Sequence, residues 1–342
     1  MKSIRKPQEY SFLILALIIN SILISFILLP ILVLIAKAFI TPEGFSLKYF
    51  FIFWSNSYYR ESVYATFMAA IFTTITTSLI GIPLAYIMVR YEFPAKRFFS
   101  ILILVPLIMP PFVGALGLYK ILGYNGVINL VLVNYLGIID HPINFLYGDI
   151  LLFSLGPYDK IYLPYGIVLI NTLHLYPLVY LNCAAALANI DPSLEEQAEN
   201  LGAKGFYLFR TVTFPLMRPG WLAGAVLVFI WTFSDLGTPL IVHYFKMLSV
   251  IVFFKLYEIT AGNPSPVSYV IGFIMAVVAL LVLIISRKYI SLRRYVMLFA
   301  GGRVIKRVFR ISGAKLIIVY LSLIHISEPT RPRLISYAVF CL

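Results

Sequence analysis

Charged side chains are scarce in this 342-residue sequence, in which only 12% of the residues are charged and 61% are hydrophobic. Soluble globular domains are about a quarter charged and about half apolar, so this scarcity excludes an ordinary soluble domain. Glycine and proline number only 20 each, which excludes a collagen-like or low-complexity chain, and an aromatic content of 16% excludes a disordered one. The composition therefore predicts a polytopic membrane protein.

Cysteine is also scarce, since the chain contains only Cys183 and Cys341. Two cysteines so placed exclude a disulfide framework and a cysteine-based metal cluster. Because Cys183 lies inside an apolar run, we expect it to be a small packing residue. No metal site and no cofactor are predicted, because the four histidines are scattered along the chain, at His141, His174, His243 and His325.

Six apolar stretches are long enough to cross a membrane, which takes about 20 apolar residues in a helix. The first is predicted to be a retained helix and not a signal peptide, because its apolar part is long and no A-x-A-like site follows it. A shorter apolar piece at 127–139 is predicted to lie along the membrane surface. The six predicted spans are residues 12–36, 62–89, 98–119, 162–190, 221–242 and 267–286.

The third predicted span is interrupted by glycines and prolines, including the adjacent Pro110 and Pro111. Broken helices survive in membranes only where protein or a water-filled cavity satisfies the freed backbone groups. Two interpretations remain open, since this span could line a transport pathway or could be a kinked packing helix.

The basic residues indicate how the spans are oriented. The net charge is +13, but the 27 lysines and arginines lie mostly between apolar stretches, which favours a role in helix orientation over nucleic-acid binding. With a cytoplasmic N-terminus and six alternating spans, eighteen of these residues fall in inner segments and seven in outer loops. This distribution obeys the positive-inside rule and predicts a cytoplasmic N-terminus.

Residues 191–219, between the fourth and fifth spans, are the most informative segment, and we call them the knob. Asp191 is a plausible N-cap with Pro192 at the first helical position, and Gly202 ends that helix where a left-handed backbone is easily adopted. A second helix is predicted to begin near Lys204 and to be stopped by Pro215. The segment is therefore expected to be a compact folded unit on the cytoplasmic side.

The knob carries a motif that resembles the EAA loop of the membrane permeases of binding-protein-dependent ABC importers. That motif is written E-A-A-x3-G-x9-I-x-L-P, and this chain has Glu196-Gln-Ala198, Gly202, Val212 and Phe214-Pro215 at the same spacing. The departures are Gln197 for alanine, Val212 for isoleucine and Phe214 for leucine. An unrelated helical hairpin is the alternative. The resemblance covers residues 12–286.

The resemblance implies an all-α polytopic fold of six transmembrane helices, the type I ABC importer permease or MetI-like fold, in the cytoplasmic (inner) membrane. In that family the loop is a coupling helix that docks in a groove of a cytoplasmic ATPase. The chain has no G-x-x-x-x-G-K-[ST] stretch, so a separate ATPase must supply the energy and the chain is not expected to be an enzyme. The resemblance also implies an extracytoplasmic solute-binding protein and a second permease half or copy. The implied docking residues are Glu195, Glu196, Ala198, Leu201, Gly202 and Pro215.

Asp235 lies about fifteen residues into the fifth predicted span. A charged side chain at that depth usually faces a cavity or a partner, but Asp235 could instead cap a helix break made by Gly237 and Pro239. Together with Ser234, Pro110 and Pro111 it is a candidate for the translocation path. An ion-driven secondary carrier that uses Asp235 is the alternative function, and a polytopic membrane enzyme is weaker still.

The stretch Ser234-Asp-Leu-Gly-Thr-Pro-Leu240, followed by Phe254-Lys-Leu-Tyr257, resembles the permeases that import ferric iron, thiamine, phosphonates or polyamines. Within that subset it most resembles the iron(III) branch. The resemblance thus implies ferric iron as the solute, with thiamine, a phosphonate or a polyamine as the alternatives.

The sequence predicts four regions along the chain. Residues 1–11 are a cytoplasmic N-terminus, 12–286 the permease domain, 287–315 a basic cytoplasmic linker that faces anionic lipid, and 316–342 a truncated seventh span with a tail that resembles translated vector sequence. Some members of the family fuse two six-span halves through such a linker. We therefore expect an N-terminal half of a fused permease.

Overall fold

The computed structural model describes residues 7–41, 44–146, 148, 150–154, 160–260, 266–292 and 309–310. Thirteen α-helices dominate this part of the chain: α1 Pro7–Phe39, α2 Lys48–Ser55, α3 Ser57–Arg90, α4 Lys96–Ile108, α5 Pro111–Leu122, α6 Val127–Leu130, α7 Tyr165–Ala188, α8 Pro192–Asn200, α9 Gly205–Leu208, α10 Phe214–Ser234, α11 Gly237–Ile241, α12 Leu248–Thr260 and α13 Val267–Leu292. Two π-helical turns cover Val131–Tyr135 and Phe209–Thr213.

Short strands, which the sequence did not predict, occur in the connections. The antiparallel pairs are β1 Ile40–Thr41 with β2 Gly44–Phe45, and β4 Ile150–Ser154 with β5 Lys160–Leu163. The pair β3 Tyr91–Glu92 with β6 Phe309–Arg310 is parallel. None of them contributes to a membrane-crossing helix, so the fold is all-α in its spanning part.

Six helical segments of the described chain are long and apolar enough to cross a membrane: Ile14–Phe39, Ser57–Arg90, Phe112–Tyr135, Tyr165–Ala188, Gly205–Ser234 and Val267–Ser291. All six overlap the predicted spans, although the third shares only residues 112–119 with its prediction, and helix α13 continues past the predicted boundary at 286. The first is apolar on all sides and its side chains from Ile14 to Val33 are mostly exposed, as expected for a helix whose neighbour is lipid.

The prediction that residues 98–119 form the third span as a single helix is wrong. Helix α4 ends at Ile108 because Met109 and Pro110 adopt extended backbone conformations, and a residue before proline is disfavoured in the helical region. The separate helices α4 and α5 have 13 and 12 residues, each too short to cross a membrane alone. The apolar segment Phe112–Tyr135 is also interrupted, between α5 and α6, and it includes part of the piece predicted to lie on the surface.

The chain divides into two compact units. One contains the residues up to Asn56 together with Val252–Val277, and the other contains Ser57–Ile251 together with the residues from Val278. In the first unit, Phe273 packs edge-on against Phe39 and Phe50 with ring centroids 5.1 and 5.9 Å apart. Gly272 lies so close to Leu34 that an added Cβ would be 2.9 Å from its Cδ1 atom.

The core of the second unit consists of α3, α7 and α10, which approach one another at glycines. A Cβ on Gly81 of α3 would lie 2.9 Å from the Val179 Cβ on α7, and one on Gly224 of α10 would lie 2.9 Å from the Val179 Cα. Gly220, one turn earlier on α10, faces the carbonyl oxygen of Asn182 in the same way. Small residues four apart permit such close helix contacts in membranes.

This core also contains Cys183, which is fully buried, as expected for a packing residue. The predicted N-terminal segment 1–11 and tail 316–342, and the linker 287–315, lie wholly or largely outside the described residues, of which only 7–11, 287–292 and 309–310 belong to them. In that linker, β6 pairs with β3 and thus lies beside the short loop that follows α3.

Candidate functional site

The first helix of the knob begins and ends as its sequence indicates. The Asp191 Oδ1 atom accepts a hydrogen bond of 2.9 Å from the Ser193 N–H, so Asp191 is the N-cap of α8, and Pro192 is its first residue. Gly202 follows the helix with φ +94°, a conformation that favours glycine. The next N–H, from Ala203, donates to the Ala198 carbonyl at 2.9 Å and closes the helix end.

The second helix of the knob differs from the prediction. Helix α9 is only Gly205–Leu208, and it continues through the π-helical turn Phe209–Thr213 directly into α10. Pro215 stands in the first turn of α10 and does not stop the helix, because it directly follows the π-helical turn Phe209–Thr213, and local π adjustments let a helix accommodate proline. The part of the knob from Gly205 onward and the fifth span are therefore one continuous helical segment, Gly205–Ser234.

The six residues implied as docking residues differ in exposure. Glu196, Leu201 and Gly202 are exposed, and Leu201 retains 89% of its accessible surface. Ala198 and Pro215 are half-buried. Two further apolar residues of the knob, which the sequence reasoning did not single out, are also exposed: Phe206 at 76% and Tyr207 at 65%.

Glu195 is the exception among these residues, because it is only 4% exposed. Its Oε1 atom forms an ion pair of 2.8 Å with Nη2 of Arg90, the last residue of α3. The same oxygen accepts a hydrogen bond of 2.8 Å from the Thr213 hydroxyl. In this conformation the Glu195 carboxylate points into the protein and away from the exposed surface of the knob, and its implied docking role stays a prediction.

A second polar site surrounds Asp235, between α10 and α11. The Asp235 Oδ1 atom accepts hydrogen bonds from the N–H groups of Gly237 at 3.0 Å and Thr238 at 3.3 Å. Its Oδ2 atom accepts one from the Asn171 amide at 3.1 Å, and its backbone carbonyl accepts one from the Ser249 hydroxyl at 2.6 Å. The interpretation of Asp235 as the cap of a helix break is therefore correct, and Asn171 and Ser249 are partners that the sequence analysis missed.

Asp235 also lines a cleft of about 400 Å³ together with Leu227, Ile230, Trp231, Ser234 and Leu236. The capping and cavity interpretations are thus compatible. A Cβ on Gly237 would lie 3.8 Å from the Phe112 Cβ, so the break between α4 and α5 is next to the Asp235 turn. The structure brings Ser234 and Asp235 into one cleft and places the break between α4 and α5, at Pro110 and Pro111, beside that turn.

The two polar sites lie at opposite ends of the helical core. Glu195 binds the last residue of α3, whereas Asp235 binds Asn171 near the start of α7. Between these ends α7 runs parallel to α3 and antiparallel to α10. The knob end carries Arg90 and Arg97 with Lys204 and Arg210, which agrees with the predicted cytoplasmic side. In the part of the chain that the structure describes, no three His, Cys, Asp or Glu residues are grouped as metal ligands.

Solved structures with a similar fold come from ABC importers. A bacterial ABC transporter involved in the import of the polysaccharide alginate matches with a TM-score of 0.56 and 15% identity, covering 84% of this chain and 97% of that one. The same transporter type in complex with an alginate pentasaccharide-bound periplasmic protein matches with a TM-score of 0.52 and 16% identity, over 81% and 93% of the two chains. The predicted MetI-like permease fold is confirmed.

Among curated relatives, the ferric transport system permease FbpB of Actinobacillus pleuropneumoniae is 26% identical over 86% of this chain. A putative ferric permease of Haemophilus influenzae is 25% identical over 86%, and the molybdenum permease ModB of that organism is 32% identical over 47%. The chain spans only 40% and 44% of the length of the two ferric permeases, and 62% of ModB.

The family model of the binding-protein-dependent transport system inner membrane component matches residues 77–294, which include the knob, the Asp235 cleft, α7, α10 and the second part of α3. This match covers more than half of the chain. The chain therefore belongs to the family of inner membrane components of binding-protein-dependent transport systems, the permeases of ABC importers.

Proposed function

We propose that this chain forms part of the pathway by which an ABC importer takes up a solute, and that its knob receives movement from a separate cytoplasmic ATPase. One observation carries the proposal: a capped, glycine-ended helix with the EAA spacing projects from the end where α3, α7 and α10 meet. A loop that only connected two spans would not need this folded unit.

The surface of the knob supports docking of a protein. Leu201, Phe206 and Tyr207 expose large apolar side chains, and Glu196 adds a charge beside them. Exposed apolar groups rimmed by polar ones mark protein interaction sites. A Cβ on Gly202 would meet no atom of the described residues within 4 Å, so the glycine is required by its backbone conformation and leaves room for a partner.

The cleft at Ser234 and Asp235 is the proposed part of the translocation path, with the broken helix at Pro110 and Pro111 beside it. Asp235 is a buried carboxylate directly after the spanning segment Gly205–Ser234, and ionisable residues of membrane spans generally belong to substrate or ion pathways. A carboxylate there suits a cationic solute better than an oxyanion. Trp231 is 41% exposed in the same cleft and offers a ring face for a cation.

Ferric iron is the proposed solute. The sequence resemblance and the two ferric permeases matched over 86% of this chain support it. Other relatives are named for spermidine and putrescine, molybdenum or sulfate, and these match over shorter portions of the chain. A negatively charged carboxylate in the proposed path would attract iron or a cationic polyamine and would repel the anions molybdate and sulfate. The family assignment does not favour the ion-driven carrier.

The proposed partners are cytoplasmic ABC ATPase subunits, an extracytoplasmic solute-binding protein and a second permease half or copy in the inner membrane. The solved alginate transporter in complex with its periplasmic protein supports the solute-binding partner. The two ferric relatives are about twice as long as this chain, which supports a second half.

Co-purification tests the ATPase partner. The tagged chain is co-expressed with the ATPase encoded beside its gene, and we expect Leu201→Asp to reduce the recovered ATPase at least about tenfold, as the loss of an interface hot spot does. The matched control is Tyr135→Ser, which removes a residue of similar exposure outside the knob. Equal recovery with both variants would refute the docking role. Uptake of radioactive ferric iron by cells with the complete transporter, in competition with molybdate and spermidine, tests the solute.

A further inference from the structure

The carboxylate of Glu195 joins three segments that are far apart in the sequence. Arg90 is the last residue of α3, Glu195 lies in α8, and Thr213 ends the π-helical turn that leads into α10. Arg90 Nη2 and Thr213 Oγ1 both contact the same Glu195 oxygen at 2.8 Å. We call these three residues the pin.

All members of the pin are shielded from water. The side chains of Arg90 and Glu195 are 4% and 5% exposed, and Thr213 is 1% exposed. By contrast, the neighbouring Glu196 is exposed. The two adjacent acids therefore have different roles, and Glu195 is not available for contact with a docked partner in this conformation.

A buried ion pair fixes geometry more than it adds stability. Taking both charges out of water is costly, so the pair gives little net stabilisation, but separation of the partners would leave an uncompensated buried charge. Helix α8 therefore cannot move away from the end of α3 without a large penalty. The first helix of the knob and the end of α3 must move together.

The movement of α3 reaches the rest of the core through close contacts. Gly81 of α3 touches Val179 of α7, and the Trp221 indole of α10 donates a hydrogen bond of 3.0 Å to the Ser78 hydroxyl of α3. Close-packed helices transmit displacements because they have no free volume to absorb them. A contiguous set of contacts thus runs from the knob to the helices that carry Asn171 and Asp235.

We propose that Glu195 is a positioning residue that transfers displacement of the knob to α3 through Arg90, while the exposed residues of the knob do the docking. This inference rests on the proposed function, because it assumes that an ATPase moves the knob. The inference assigns different functions to neighbouring residues of the motif. Glu196 and Leu201 bind the ATPase, whereas Glu195 transmits the motion of the ATPase.

The test compares docking with transmission in the full chain bound to its ATPase in proteoliposomes. Docking is the amount of ATPase retained by the tagged chain. Transmission is the change in the labelling rate of a cysteine at Ser234, in the cleft, when ADP and vanadate trap the ATPase. All variants carry Cys341→Ser, and Cys183 is fully buried, so the reporter is the accessible thiol.

We expect Glu195→Gln to retain the ATPase but to abolish a labelling change that is about fivefold or more in the parent chain. Arg90→Gln should behave alike, and the double variant should be no worse than either single one, because both remove the same link. The control is Glu92→Gln, which breaks the exposed ion pair of 2.8 Å with Lys96 near the same helix end and should keep the full response.

The possible outcomes distinguish the proposed function from the inferred positioning role of Glu195. A parent chain that retains no ATPase overturns both the proposed function and this inference. Loss of the ATPase from Glu195→Gln makes Glu195 a docking residue and overturns only the inference, as does a normal labelling change in that variant. If Glu195→Gln fails to fold, Thr213→Val decides, because it removes one bond to the same oxygen with little change in shape and must weaken the response.

Discussion

Asn171 and Asp235 are 64 residues apart in the sequence, yet the Asn171 amide donates a hydrogen bond of 3.1 Å to the Asp235 carboxylate. The Asn171 amide oxygen in turn accepts one of 3.1 Å from the Thr238 hydroxyl. Asn171 is 2% exposed and Asp235 8%, so both ends of this link are buried. The link fastens the turn after α10 to the first part of α7 and holds a carboxylate at the edge of the cleft.

The first prediction separates the charge of Asp235 from its capping role. Asparagine caps helices about as well as aspartate, so Asp235→Asn should keep the bonds from the Gly237 and Thr238 N–H groups, losing the negative charge and the acceptor of the Asn171 amide. We expect ferric iron uptake to fall at least about tenfold, a loss of about 1.4 kcal/mol of interaction with the cation. Asp235→Ala should be less stable than Asp235→Asn by about 1–3 kcal/mol, because the Gly237 and Thr238 N–H groups lose their acceptor as well.

Uptake by cells, normalised to the amount of protein in the membrane, measures the first effect, and thermal unfolding in detergent measures the second. Ser268→Ala is a control, since Ser268 is buried outside the cleft. Uptake by Asp235→Asn at the parental rate would show that the carboxylate has only a structural role.

Local features of the knob could be predicted from the sequence because they depend on neighbouring residues. Asp191, Pro192 and Gly202 act within one or two turns of α8, and each does what its residue type favours. The side toward which Glu195 points could not be predicted, because its partner Arg90 is 105 residues away. Only the packed structure brings the two charges together.

The membrane spans likewise include some that the sequence predicts and one that it does not. Five apolar runs predict their helices because length and composition suffice. The third could not be placed, because Pro110 and Pro111 permit a break but do not determine which flanking helix crosses the membrane. Asn171 carries no sequence signal of its own, since a single amide in an apolar helix gives no indication of its partner.

The second prediction concerns the close approach of α7 and α10. Gly220→Ala would place a Cβ 2.6 Å from the Asn182 carbonyl oxygen and 2.5 Å from the Ala186 Cβ, so the helices must separate. We expect a loss of about 1–3 kcal/mol of stability, typical of overpacking. Gly117→Ala in α5 is the matched control, because its Cβ would meet no atom of the described residues within 4 Å.

Thermal unfolding in detergent is the measurement. Gly117→Ala should be neutral or stabilise the protein by up to about 1 kcal/mol, because alanine is the better helix former. Equal stability of Gly220→Ala and Gly117→Ala would show that the two helices do not approach as closely as the structure indicates.

The third prediction concerns the segment between α5 and the β4–β5 hairpin. Asn129 is 2% exposed, and its amide nitrogen donates to the carbonyls of Gly123 at 2.9 Å, Tyr124 at 3.0 Å and Ile143 at 2.6 Å. Its amide oxygen accepts a bond of 3.0 Å from the Ile143 N–H. Asn129→Leu should loosen this segment by about 1–3 kcal/mol for each buried group left without a partner.

Hydrogen exchange followed by mass spectrometry measures this effect. We expect faster exchange within residues 123–146 and unchanged exchange in α8, which lies at the other end of the core. The same substitution at the exposed Asn134, Asn134→Leu in the adjacent π-helical turn, is the control. A general increase across the chain would mean that Asn129 supports the whole fold and not this segment alone.

The fourth prediction fixes the orientation on which the docking role depends. In sealed cells, a membrane-impermeant maleimide should not label Leu201→Cys until the membrane is opened, whereas Lys246→Cys should be labelled at once. Leu201 is 89% exposed on the knob, and Lys246 pairs with Glu61 at 3.1 Å at the opposite end of α3. The buried Cys183 does not interfere, and Cys341→Ser removes the other thiol.

The positive-inside rule requires the knob end, with Arg90 and Lys204, to be cytoplasmic. Labelling of Leu201→Cys in sealed cells would place the knob outside, where no cytoplasmic ATPase could reach it, and coupling through Glu195 would be impossible.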